Sequence, residues 1–143
     1  MATEPAVLAL LDAYQNAINT KDARAVVACY THDVVAYDLA PPLSQKADIV
    51  RDPTHVQEWF DSWEGPLESA AQETNLRVGA DIAFVFSLRR MRGIKKTGQK
   101  VELWFRSTTI CTRQAGEWKI CHIHNSTPFA MDGSGKALLD LKP

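Results

Sequence analysis

Apolar positions in the first sixty residues recur at helical spacing, and those after Gln72 alternate. Val7, Leu10, Leu11, Tyr14 and Ile18 trace one stripe of an amphipathic helix that opens near Pro5 and runs to about Asn19. Asp22 is a plausible N-cap for a shorter helix through Val26, Val27 and Tyr30. Val34 to Tyr37 read as a short strand, closed by Asp38 and the breaker Pro41-Pro42. Asp52-Pro53 pairs an N-cap with proline at the first helical position, and Val56, Trp59, Phe60 and Trp63 continue the pattern until Gly65-Pro66.

Beyond Gln72 the period becomes two. Leu76 and Val78, then Ile82, Phe84, Phe86 and Leu88, then the stretch from Val101 to Ser126 predict at least three long consecutive strands. That last stretch breaks at Gln114, Ala115 and Gly116, which predicts a hairpin with a three-residue loop. Pairing Arg113 with Glu117 sets Thr108 opposite His122, Arg106 opposite His124 and Trp104 opposite Ser126, over an apolar floor of Ile110, Trp118 and Ile120. The expected architecture is α+β, with about three N-terminal helices covering one face of a curved antiparallel sheet.

Length and composition narrow the class. The chain has 143 residues, 45% apolar and 23% charged, which suits one compact domain, 1–143, with a mixed tail from 129 to 143. A formal charge of −1 gives no field that would gather nucleic acid or an anionic membrane. The basic run Arg89–Lys96 is expected at a hairpin tip. Cys29, Cys111 and Cys121 have no CxxC spacing and fit free thiols in a reducing cytoplasm. MATEPAV lacks a targeting pattern, and no apolar run approaches membrane length.

Three segments together resemble a known family: YQNAINTKDARAVVACYTHDVVAYD, AFVFSLRRMRG and LWFRSTTICTRQAGEWKICHIHNSTPF. The chain resembles SnoaL-like proteins of the nuclear transport factor 2-like (ketosteroid isomerase-like) superfamily. Within it the chain looks most similar to the branch that includes the calmodulin-dependent kinase II association domains. The resemblance implies a cone, in which a curved sheet wraps helices around a largely apolar cavity, and subunits that pair through their sheets. It also implies site residues. Tyr14 falls where the isomerases place a hydroxyl donor, and Asp38 where they place the proton-abstracting carboxylate. Their second, protonated carboxyl has no counterpart, since that region reads Phe105, Arg106, Ser107, Thr108. Asn125 stands where the kinase association domains carry a pocket arginine.

Each of these residues also has a plainer role. Asp38 is either a base with a raised pKa in an apolar setting or a turn former. Tyr14 is either a donor or a core residue, and Trp59 and Trp63 either line a ligand site or fill the core. His122 and His124 can present two rings on one face, but a catalytic zinc needs a third ligand and none stands beside them. Trp104 and Arg106 share that face, with Arg106 suited to a carboxylate or an enolate-like oxygen. Phe105, Ser107, Thr109, Cys121, Ile123 and Asn125 share the other. The sequence does not decide which face lines the cavity and which meets a second subunit. The expectation is therefore a homodimer binding a small apolar molecule without cofactor or metal. It is either an acid/base isomerase, dehydratase or cyclase, or a non-catalytic binding module.

Overall fold

The structure is a computed structural model that describes residues 3–143. Met1 and Ala2, part of the stretch read for a targeting signal, lie outside the described residues. The elements run α1 (Thr3–Asn19), α2 (Ala23–Ala28), β1 (Tyr30–Tyr37), α3 (Ala47–Val50), α4 (Pro53–Asp61), β2 (Trp63–Val78), β3 (Ile82–Lys95), β4 (Lys100–Gln114) and β5 (Glu117–Ser126). The strands form one curved, unclosed sheet in the order β1-β5-β4-β3-β2. Every neighbouring pair is antiparallel except β1 and β5, which run parallel. No helix of the described residues is long and apolar enough to cross a membrane.

Local chemistry explains the helix starts. The Asp22 carboxylate accepts from the Ala25 N–H at 3.0 Å, and the Asp52 carboxylate accepts from Thr54 at 2.9 Å, with Pro53 opening α4. The stripe of α1 buries Val7 and Ala17 fully, with Leu10, Leu11, Tyr14 and Ile18 packed beside them.

Several boundaries differ from the sequence reading. Tyr30 does not end the second helix; α2 stops at Ala28 and Tyr30 opens β1. Trp63 likewise leaves α4 and begins β2, which runs through Gly65-Pro66 and is 16 residues long. The basic run is no hairpin tip, because β3 carries it almost to its end. The β4–β5 loop has two residues, Ala115 and Gly116, both at positive φ (52° and 79°), which is the twist a tight hairpin turn requires.

The same hairpin holds a bulge. Gln114 pairs with Glu117 and Cys111 with Ile120, but Ile110 pairs with His122, so Cys121 is the extra residue. Side alternation resets there. Trp118 and Ile120 fall on the helix-facing side together with Ile123, all three buried, so they do not floor the histidine face as the sequence reading expected.

Alternation on β3 puts its large side chains outside. On β3 the large set, Ile82, Phe84 and Phe86, points away from the helices and is 59%, 41% and 44% exposed, while Ala83 and Val85 are buried. The small residues suit the inner wall because helices press against it, as α1 does against β2.

Candidate functional site

The inner face of the sheet and α1 together enclose a polar group. The hydroxyls of Tyr14, on α1, and Tyr30, at the start of β1, lie 3.0 Å apart, with the rings edge-to-face at 5.8 Å between centroids. Tyr30 is buried; Tyr14 is half-buried along its length, but its hydroxyl end is enclosed. Burial raises the pKa of both phenols, that of Tyr30 well above the ordinary value, and the negative charge of Asp38 adds to the rise in each. Both therefore stay protonated at neutral pH. A pair of hydroxyls has two protons, and their mutual bond uses one. Among the described residues nothing else accepts the second.

Asp38 follows β1 at the open end of this group. Its carboxylate accepts from the Leu39 N–H at 2.7 Å and from Asn125 Nδ2 at 3.2 Å. The sequence reading expected a partly desolvated carboxylate; Asp38 is exposed, because β1 ends one residue before it and the following loop leaves the sheet. Asn125, on β5, is its inner-face neighbour, and its Oδ1 is buried without a partner.

On the far side of Tyr14 sits Arg89. It faces inward from β3, opposite Phe105 of β4 and Ala71 of β2. Its Nη2 donates to Ser69 Oγ at 2.7 Å and to Gln15 Oε1 of α1. Asn19 Oδ1 in turn accepts from the Ser69 N–H at 2.7 Å. Burial lowers the pKa of Arg89, and Tyr14 lies close enough to bear on it.

The remaining sequence candidates do not join this group. Trp104, Arg106, His122 and His124 lie on the outer face. His122 and His124 stack edge-on against Tyr37 at 4.7 and 5.4 Å, and His122 Nδ1 donates to Val35 O at 2.7 Å. Arg106 Nε donates to Ser126 Oγ at 3.1 Å, and Arg106 borders an open hollow of about 420 Å³ with Glu73, Asn75, Phe86 and Thr108. A second hollow, of about 640 Å³, lies between the α1–α2 turn and α4. Neither hollow is lined by Tyr14, Tyr30, Asp38 or Arg89. Trp63 is core, 2% exposed, with the Lys95 ammonium 3.9 Å above its ring; Trp59 leans on it from the surface side. Among the described residues no three His, Cys, Asp or Glu side chains are grouped to hold a metal.

Sequence reasoning missed Tyr30 and Arg89. Arg89 shares the side of β3 marked by the buried Ala83 and Val85, whereas Tyr30 lies beyond an irregularity in β1, so the alternation of Val34 and Ala36 does not reach it.

The family model for the SnoaL-like domain matches residues 7–130. No curated protein matches the sequence. Among solved structures, the chain is similar to an NTF2-like protein of unknown function from Pseudomonas putida KT2440. That match has a TM-score of 0.83 and 27% identity, over 96% of this chain and 94% of the other. A candidate dehydratase of the NTF2-like family from Streptomyces avermitilis aligns with a TM-score of 0.73 at 16% identity, over 90% and 99% of the two chains. A candidate ketosteroid isomerase from Shewanella frigidimarina aligns at 0.69 and 20%, over 85% and 94%. At these lower identities the likeness is one of fold.

Proposed function

Because the chain belongs to the SnoaL-like domain family, we propose that it is a cytoplasmic homodimer that binds a small, mostly apolar molecule between α1 and the inner sheet face and moves a proton on it without a cofactor. The observation that carries this reading is the buried Tyr14–Tyr30 pair with one proton unspent. An O–H held ready in a desolvated place is what a developing oxyanion needs, and it costs stability unless something uses it. In this mechanism the Asp38 carboxylate takes a proton from the carbon beside a carbonyl. The electron pair moves onto the carbonyl oxygen, which accepts from the tyrosine pair, and Asp38 returns the proton to the same or a conjugated carbon. Ligand resting over Asp38 supplies the desolvation that the free protein lacks.

Deuterium uptake α to the carbonyl of 1-tetralone, followed by NMR, tests the chemistry. The protein accelerates uptake, and Asp38→Asn, which keeps shape and removes basicity, lowers the rate at least about 100-fold. The exposure of Asp38 favours one other reading, a non-catalytic binding module. Binding of the planar phenol 2-naphthol with no acceleration of exchange supports that reading and removes the mechanism.

The homodimer rests on the outer face. Ile82, Phe84 and Phe86 are exposed in a row there, and the same face carries Trp104 and Tyr37, the kind of apolar surface that a second subunit covers. Phe84→Asp is expected to halve the mass seen by light scattering at micromolar concentration, and a wild-type monomer would refute the assignment.

A further inference from the structure

Two rows of side chains run across the outer face of the sheet. In one, Val35 of β1, His122 of β5, Ile110 of β4 and Phe84 of β3 pair in succession. In the next, Tyr37, His124, Thr108 and Phe86 do the same. Phe84 and Phe86 are exposed and stack on each other, 6.3 Å between ring centroids. Each histidine stands two strands from its phenylalanine, about 10 Å at the usual strand spacing. A second copy that covers the two phenylalanines therefore covers the two imidazoles as well.

Nothing in either row would balance a positive charge. His122 Nδ1 donates to Val35 O at 2.7 Å, which leaves Nε2 of the neutral ring as an acceptor, and both rings rest edge-on against Tyr37. From β4 the histidines meet Thr108 and Ile110, both uncharged. At the far end of the rows β2 adds Asn75 and a cation, Arg77. Arg106, bonded to Ser126, is a second cation one outer position along β4, and Lys119 on β5 itself turns to Ala28 O. The carboxylates of the neighbourhood are engaged elsewhere. Asp38 accepts from Asn125 on the inner side, Asp33 lies at the irregular stretch of β1 toward Cys121, and Glu73 borders the hollow beside Arg106.

We propose that His122 and His124 make the pairing of two subunits pH-dependent: the sheet faces associate while the imidazoles are neutral and separate when they take up protons. The inference rests on the homodimer reading above and adds its regulation. A two-fold contact doubles whatever charge one subunit brings, and a cation covered by an apolar face without an anion is costly. Histidine is the side chain that changes charge between about pH 5 and 8. Protons bound by the separated subunits and excluded from the pair pull the equilibrium apart as pH falls. One imidazole per subunit that must shed its proton costs about tenfold each at one pH unit below an ordinary histidine titration. The dimer is thus expected to be about 100-fold weaker at about pH 5.5 than at about pH 8.

Sedimentation velocity over a dilution series, at those two pH values and one ionic strength, gives the dissociation constant at each. The double variant His122→Gln/His124→Gln, neutral and polar at both, is expected to bring the two constants within about threefold of each other. Wild-type constants equal within that range refute the switch and leave the dimer standing. A difference that survives in the double variant also overturns the proposal. A wild-type monomer at the higher pH refutes the homodimer reading, and the switch with it. Near-UV circular dichroism shows whether folded protein is compared; loss of the folded signal together with the dimer at the lower pH overturns the proposal, because the charge then acts on the fold. If the double variant does not fold, His124→Gln at its exposed position decides. The pH dependence shrinks in that variant, and an unchanged dependence refutes the proposal.

Discussion

Removing one hydroxyl from the Tyr14–Tyr30 pair and removing both have different consequences, and the difference measures how the pair is held. Phenylalanine preserves the edge-to-face ring contact, so each single change deletes a hydroxyl and little else. Tyr30→Phe leaves the Tyr14 hydroxyl enclosed with no partner, and Tyr14→Phe leaves Tyr30 in the same state. A stranded buried polar group costs about 1–3 kcal/mol, more than the net worth of about 0.5–1.5 kcal/mol for the bond itself. The double variant strands nothing. It is expected within about 1 kcal/mol of wild type and more stable than either single variant. Urea unfolding followed by tryptophan fluorescence, at one fixed protein concentration because association contributes, gives the four free energies. A double variant destabilised by the sum of the two single changes would show that the hydroxyls are independently satisfied, and the unspent proton on which the proposed chemistry depends would be lost.

The same pair sets a pH dependence: with the folded pKa of both phenols raised above 10.0, the unfolded chain loses protons first. Stability is thus whole below about pH 10 and falls as pH rises further. The double Phe variant flattens that fall in equilibrium unfolding measured across the alkaline range, but a remainder persists from Cys111, whose thiol burial pushes up to about 12. Thiol labelling at neutral pH follows exposure: Cys121, partly exposed, reacts well before Cys29 and Cys111, which are 6% and 1% exposed, and equal rates would contradict the packing. Gly93→Ala sets a Cβ 2.8 Å from Trp63 Cε3 in the core, and urea unfolding is expected to show a loss of about 1–3 kcal/mol, relieved by Trp63→Phe in a double-mutant cycle.

Some of this protein is written in the sequence, because some of its signals are local. The stripe of α1, the aspartate caps at Asp22 and Asp52 and the turn near Gly116 each depend on residues within a few positions, and each is found where the pattern predicts it. Tyr14 was legible for the same reason, since helical spacing alone turns it toward the core.

Alternation is a weaker guide: it sorts a strand into two sets without saying which is inside. The larger set of β3, with Phe84 and Phe86, looks like core and lies outside, because the wall against the helices takes small residues such as Ala83. One unpaired residue, Cys121, then reassigns Trp118 and Ile120 to the other face, and nothing local marks it. The site is a product of such long-range decisions. Tyr30 meets Tyr14 only because β1 runs parallel beside β5, and Arg89 meets Gln15, 74 residues away, only because β3 carries the basic run under α1. A charge looks like solvated surface in a sequence; tertiary packing alone decides that this one turns toward α1 and is partly buried.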